Sequence, residues 1–245
     1  MPTLQSQRTS QRRLAWFAGS VGVLCSTACS LVLPRDSELL GGGGDAGADA
    51  GMLLFDEEFD GAVLDLNKWA VAGDGVWSID GGTGVQSNSN TTTSMIYARA
   101  FVAATDYHIV TRMRSTGPFG QGLHLAPEIA FRVDPTVDAG GIPETYRCDF
   151  DLFQSQLIFG QTAANNAPDL VTADIVVPSN FDEGTPFVFD AVVSGAGVTC
   201  TVTVDNLGVV GRLSTNLLGV GMGSFGLKTY DTSAQFFYFR VYAAD

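Results

Sequence analysis

From Met52 to the C-terminus, apolar side chains recur at every second position in short runs, and turn residues separate the runs. Successive side chains leave a strand on opposite sides, so this period marks strands with one buried face. The runs are 52–59, 94–103, 107–115, 128–134, 144–153, 156–161, 170–177, 186–194, 198–204, 207–213, 223–230 and 234–242. They are rich in β-branched and aromatic residues, which suit a pleated surface. Ala72-Gly73-Asp74-Gly75, Asp80-Gly81-Gly82 and Asp205-Asn206 read as turns between strands. No stretch keeps the helical period long enough to make a helix. A dozen short strands joined by tight turns predict an all-β domain over 52–245, built from two packed antiparallel sheets.

The first fifty residues follow another pattern. Residues 1–13 are polar and basic, and Leu14 to Ala28 is an uncharged apolar run. Its length suits the core of a signal peptide and is short for a bilayer span, so 1–28 is expected to direct export. Ser26-Thr27-Ala28-Cys29 resembles the bacterial lipobox, in which the Cys is lipidated and becomes the first residue of the mature protein. The resemblance implies lipid on Cys29. Cleavage near Ala28 without lipid is the alternative. Ser30 stands where an Asp is associated with inner-membrane retention, which points to an outer-membrane lipoprotein. Residues 29–51 carry Cys29 and a Gly/Ala/Asp-rich tract that cannot bury enough surface to fold. As a flexible tether it would hold the domain on the order of 25 Å from a membrane.

Charge narrows the partners. All 26 acidic residues follow residue 35, and past Arg13 only ten basic residues oppose them, a net charge of −16. Such a body repels nucleic acid and anionic lipid, so contact with a membrane is expected only through the lipid anchor. Neutral sugars, cations and proteins remain open as partners, and a monomer is expected. Cys148 and Cys200 sit at strand centres, and in an exported chain an even pair reads as a disulfide. His108 and His124 are isolated, and no Cys-x-x-Cys is present to hold zinc.

The domain opens Phe55-Asp56-Glu57-Glu58-Phe59-Asp60-Gly61, continues Leu64-Asp65-Leu66-Asn67-Lys68-Trp69, and closes Phe239-Arg240-Val241-Tyr242. The two ends resemble those of concanavalin A-like jelly rolls, nearest the laminarinase-type glycoside hydrolases. Gly223 to Thr229 resembles the penultimate strand of laminin-G-like sugar-binding sandwiches. The resemblance implies a jelly-roll sandwich over 52–245 and carbohydrate as ligand. The hydrolases carry three acids on one strand, in the order Glu, apolar, Asp, apolar, any residue, Glu. Here Glu128-Ile129-Ala130-Phe131-Arg132-Val133 keeps only the first acid. Ala130 and Val133 cannot orient a group or carry a proton. If the alignment holds, that chemistry is lost; if it is an accident of spacing, the motif is missing altogether. Relatives also place a calcium-ligating Asp where Phe237 stands, so no cofactor is expected.

Alternation groups the remaining polar residues. Thr145, Arg147, Asp149 and Asp151 share one side of their strand, away from Tyr146, Cys148 and Phe150. Glu128 goes with Arg132, and His108 with Arg112 and Arg114. If these strands are neighbours they form one polar, sugar-binding concave face, with Arg112, Arg132, Arg147, Asp149 and Asp151 as ligand-binding residues. A solvated sheet face with cross-strand ion pairs is the plainer expectation. Hydrolysis by Asp149, Asp151 or Glu128 is the catalytic alternative. Of the tryptophans past the leader, Trp69 and Trp77 are both expected in the core, and Tyr97, Tyr230 and Tyr238 are candidates for exposure. Three functions follow in order: a non-catalytic carbohydrate-binding module, a glycoside hydrolase with an atypical acid pair, and an envelope scaffold that binds no glycan.

Overall fold

The computed structural model describes residues 51–87, 93–100, 104–117, 126–138, 141–151, 154–162, 169–177, 181, 184–205, 207–216 and 222–244. The leader, Cys29, the tether before Gly51, His124 and most of the polar run 86–94 lie outside that set. The described residues form strands β1 (Leu53–Glu57), β2 (Trp69–Gly73), β3 (Trp77–Asp80), β4 (Thr83–Gln86), β5 (Ser94–Ala98), β6 (Tyr107–Ser115), β7 (Ala126–Asp138) and β8 (Pro143–Asp151). These are followed by β9 (Gln156–Thr162), β10 (Asp169–Asp174), β11 (Phe187–Ser194), β12 (Gly197–Val204), β13 (Gly208–Thr215), β14 (Ser224–Tyr230) and β15 (Ala234–Ala243). No helix occurs among the described residues.

The strands build two antiparallel sheets. One has the order β13-β12-β11-β6-β15-β4-β3, with β1 also paired to β15. The other runs β10-β9-β8-β7-β14-β5-β2. Alternation reads directly as burial in the first sheet: along β6, Tyr107, Ile109, Thr111, Met113 and Ser115 are buried and the residues between them half-buried. Phe187, Phe189, Ala191 and Val193 of β11 and Val198, Cys200, Val202 and Val204 of β12 complete that inner face. Ile129, Phe131, Cys148, Phe150, Leu157, Phe159, Phe225 and Leu227 answer from the seven-stranded sheet. Cys148 and Cys200 form the expected disulfide, and it joins the two sheets through the core, with Cα atoms 6.5 Å apart.

The two ends of the domain meet. β1 runs beside β15, with Glu57 opposite Phe239. Phe55 packs edge-on against Trp69 at 5.0 Å and Phe225 at 5.1 Å, and Trp69 meets Phe239 at 5.7 Å. Edge-to-face geometry suits the positive rim and negative face of each ring. Trp69 Nε1 donates to Glu57 Oε2 at 2.8 Å, Lys68 pairs with the same oxygen at 3.0 Å, and Arg240 pairs with Glu58 at 2.5 Å. The opening and closing motifs are therefore one latch: buried rings with their polar atoms satisfied. Phe59 stacks on Trp69 against Gly84, where a Cβ would sit 2.8 Å from the Phe59 ring.

Strands β2, β3 and β4 were absent from the sequence expectation, which read this region largely as turns. They are short and punctuated by Gly73, Gly81 and Gly82, all at positive φ. Gln86 and Ser94, at the two ends of the polar run 86–94, are buried in β4 and β5. Ser94 Oγ accepts a hydrogen bond from Trp77 Nε1 at 2.6 Å.

Candidate functional site

The outer face of the seven-stranded sheet, turned away from its partner, carries charge at its centre. Cross-strand register sets Lys228 of β14 beside Glu128 of β7, and Glu128 beside Asp149 of β8. Lys228 Nζ donates to Glu128 Oε2. Arg147 donates to Asp149 Oδ2 and, at 2.6 Å, to Asp169 Oδ1 of β10. Arg147 and Asp169 are two strands apart, yet both stand opposite Gly160 of β9. With no side chain at Gly160, the guanidinium lies across β9 unobstructed. Met95, Ala130 and Val133 form a small buried apolar cluster on the same sheet.

These charges are buried. Glu128, Lys228, Asp149 and Arg147 are 1%, 2%, 2% and 5% exposed, so the expectation of a solvated face is corrected. The ion pairing is present, but the central strands are enclosed on both sides. Burial pushes the Asp149 carboxyl from its ordinary 3.8 up to about 8; Arg147 and Lys228 oppose the shift, and Glu128 and Asp169 add to it. Burial also works against the Arg147 cation, but Asp149, Glu128 and Asp169 outweigh it and raise its pKa. The set contains three carboxylates and two cations, so a proton on Asp149 makes it neutral. Asp149 Oδ1 has no hydrogen-bond partner among the described residues.

A pH dependence follows. Between about 4 and about 8 the folded chain keeps a proton on Asp149 that the unfolded chain releases, so this group's contribution to stability falls as pH rises through that window. The slope approaches about 1.4 kcal/mol per pH unit, and it vanishes above the folded pKa. Urea midpoints between about pH 5 and 9 are expected to fall more steeply for the natural chain than for Asp149→Asn. Parallel profiles would mean that Asp149 is ionised throughout.

No protein-family model and no curated protein matches the sequence. Solved structures match its shape. The carbohydrate-binding module CBM66 from Bacillus subtilis superposes with a TM-score of 0.53 at 17% identity, covering 70% of this chain and 93% of that one. A protein of unknown function with a galectin-like fold from Bacillus subtilis gives 0.58 at 11% identity, over 79% and 97%. The calcium- and mannose-bound exoplasmic domain of VIP36 gives 0.54 at 11%, over 72% and 83%. The fold is a jelly roll of the galectin and concanavalin A type.

Within the jelly roll, the residues expected on one polar face separate into three places. Arg147, Asp149 and Asp151 share the outer face with Glu128, as alternation required. Asp151 is fully buried and accepts from the Gln154 backbone at 2.8 Å. The second group is a correction: β6 belongs to the other sheet, and takes His108, Arg112 and Arg114 with it. There Arg112 bonds Asp205 at 2.5 Å, His108 bonds Asp190 at 2.5 Å, and Phe237 lies 5.6 Å from the guanidinium carbons of both Arg112 and Arg114. Arg132 is the third case. It sits at a β-bulge with φ of 52°, which turns its side chain off the face. Its guanidinium donates to the carbonyls of Thr105 and Gly195, and its backbone N–H to Tyr107 Oη at 3.2 Å. Burial pushes the Tyr107 phenol up to about 12, keeping it neutral.

Register brings Glu128 and Asp149 side by side, a pairing of two carboxylates of the kind that glycoside hydrolysis uses. Here each carboxylate is shut from solvent and bonded to a cation, so a sugar ring cannot reach either one in this arrangement. Among the described residues, exposed polar side chains of the face lie at β10 beside β9. Asp169, Thr172 and Asp174 are exposed, and half-buried Gln156 donates to Asp174 at 3.0 Å. Lys228 and these residues were not among the expected site residues. A lone Lys between Leu227 and Thr229, and polar Thr172 and Asp174 alternating with Val171 and Ala173, were the available signals.

Proposed function

We propose that this protein is an exported, lipid-anchored, non-catalytic module that binds a neutral carbohydrate at the β8–β10 end of the outer face. The observation that carries the reading is Asp169, partly exposed where the face opens to solvent and held from behind by Arg147 of the buried Arg147–Asp149 pair. A carboxylate fixed in this way presents its acceptor oxygens to sugar hydroxyls with little loss of side-chain freedom. Gln156, Thr172 and Asp174 extend the polar row. The net charge of the exported part disfavours acidic polysaccharides. The carbohydrate-binding module and the mannose-bound domain among the similar folds support the ligand class. The inaccessible Glu128–Asp149 pair favours binding over hydrolysis.

A glycan array probed with residues 47–245, which carry the sandwich and its disulfide, tests this. Neutral oligosaccharides are expected to bind, and Asp169→Asn with Gln156→Ala to weaken binding by about tenfold, the value of one good polar contact. A cooperatively folded protein that binds no glycan, or a hit that both substitutions leave unchanged, would remove the assignment. In bacteria making the full chain, fatty-acid labelling is expected, and Cys29→Ser should abolish it; labelling that persists excludes the anchor at Cys29.

A further inference from the structure

A groove opens where the end strands of the two sheets, β2 and β3, approach each other. Ala62, Val63, Leu64 and Leu66 of the connection between β1 and β2 form its third wall, and the open groove has a volume of about 540 Å³. The lining is almost wholly aliphatic: Val63, Leu66, Val71, Val76 and Ile79, with Trp77 among them. Val63 is 76% exposed, Leu66 58%, Val76 56% and Val71 43%. Large apolar side chains left in water together on one concave surface mark an interaction site more often than a random scatter does.

The groove is held open. Trp77 stacks on Phe236 with ring centroids 5.5 Å apart, and its indole N–H is tied to buried Ser94. Gly75 makes room for that tie, because a Cβ there would lie 1.5 Å from Ser94 Oγ. The wall therefore cannot collapse to hide its own apolar surface.

Three features identify the occupant. Among the described residues β3 is the terminal strand of its sheet, paired only with β4, so its outer edge offers backbone donors and acceptors to an added strand. Among the described residues of the lining, Ser78 is the only polar side chain apart from the Trp77 indole N–H, which Ser94 already holds; a sugar's hydroxyls would find few partners here. Exposed Asp60, Asp65, Asp74 and Asp80 flank the lining segments, and none of them forms an ion pair among the described residues. The nearby cation, Lys68, is engaged by Glu57. This acidic rim repels a second copy of so acidic a chain, and anionic lipid as well.

We propose that the β2–β3 groove docks an extended polypeptide segment in which aliphatic residues alternate with Lys or Arg. The aliphatic side chains fill the groove, the backbone adds to the edge of β3, and the cations meet the aspartates. The site lies apart from the carbohydrate face and does not depend on that reading.

The test is a titration of residues 47–245 with a capped peptide of about eight alternating Lys and Val residues, followed by tryptophan fluorescence and calorimetry. Saturable binding that weakens with salt is expected. Leu66→Ser with Val76→Ser should weaken it about tenfold, as should Asp74→Asn with Asp80→Asn. Both pairs are exposed, so unchanged melting temperatures are expected; if the first pair unfolds the chain, Val63→Ser replaces it. Four results would overturn the proposal: equal binding of a Glu–Val peptide, equal affinity of the groove variants, neutral oligosaccharide occupying the groove in place of peptide, or dimerisation lost in Leu66→Ser.

Discussion

Lys228→Met is expected to lower the unfolding free energy by about 3–5 kcal/mol, the usual cost of leaving a buried charge without its partner. Methionine keeps the length and apolar stem of lysine, so packing changes little and the effect reports on charge. Glu128 would then be a carboxylate at 1% exposure beside Asp149, with its ammonium gone. Glu128→Leu with Lys228→Met should recover most of the loss, because two apolar residues of similar size have no desolvation to offset. Urea unfolding of the two single variants and the double variant measures the coupling. A single Lys228→Met variant within about 1 kcal/mol of the natural chain would place the pair in water and contradict its burial.

The second large effect concerns the disulfide. Cys148→Ala with Cys200→Ala is expected to cost about 4 kcal/mol on the loop-entropy model for a closed loop of 52 residues. Both cysteines are fully buried, so reductant should reach them only when the sandwich opens. Reduction at moderate urea should therefore follow the unfolding rate rather than the thiol concentration. An unchanged urea midpoint under strong reductant would show that the bridge adds nothing to stability.

The placement of the bridge explains part of its value. β8 belongs to one sheet and β12 to the other, so the bond crosses the core and resists separation of the layers. Spacing along the chain showed that two strand-centred cysteines existed; it could not show that they face each other across the sandwich. The same division holds at the polar face. Alternation assigned Arg147, Asp149 and Asp151 to the side opposite Tyr146, Cys148 and Phe150, because side-chain direction along one strand is a local property. It could not place β6 in the other sheet, nor register Lys228 against Glu128. Arg132 shows the limit within a single strand: one residue at positive φ broke the alternation and redirected the guanidinium to Thr105 and Gly195.

Local chemistry thus accounts for the strand content, the inward-facing residues and the all-β class. β6 begins and ends where its alternation does. Trp69 was legible as a core residue, but that the opening and closing motifs meet was decided by the pairing of β1 with β15. Strands β2 to β4 escaped because a run of four or five residues between glycines looks like a turn until a neighbouring strand supplies its hydrogen bonds. The environment of each charge was settled by long-range packing. The upward shift of Asp149 comes from enclosure, with Glu128 and Asp169 adding to it and Arg147 and Lys228 opposing it. Burial and electrostatics depend on distances in space between residues far apart in the chain, 100 positions for Glu128 and Lys228, and those distances exist only once both sheets have assembled.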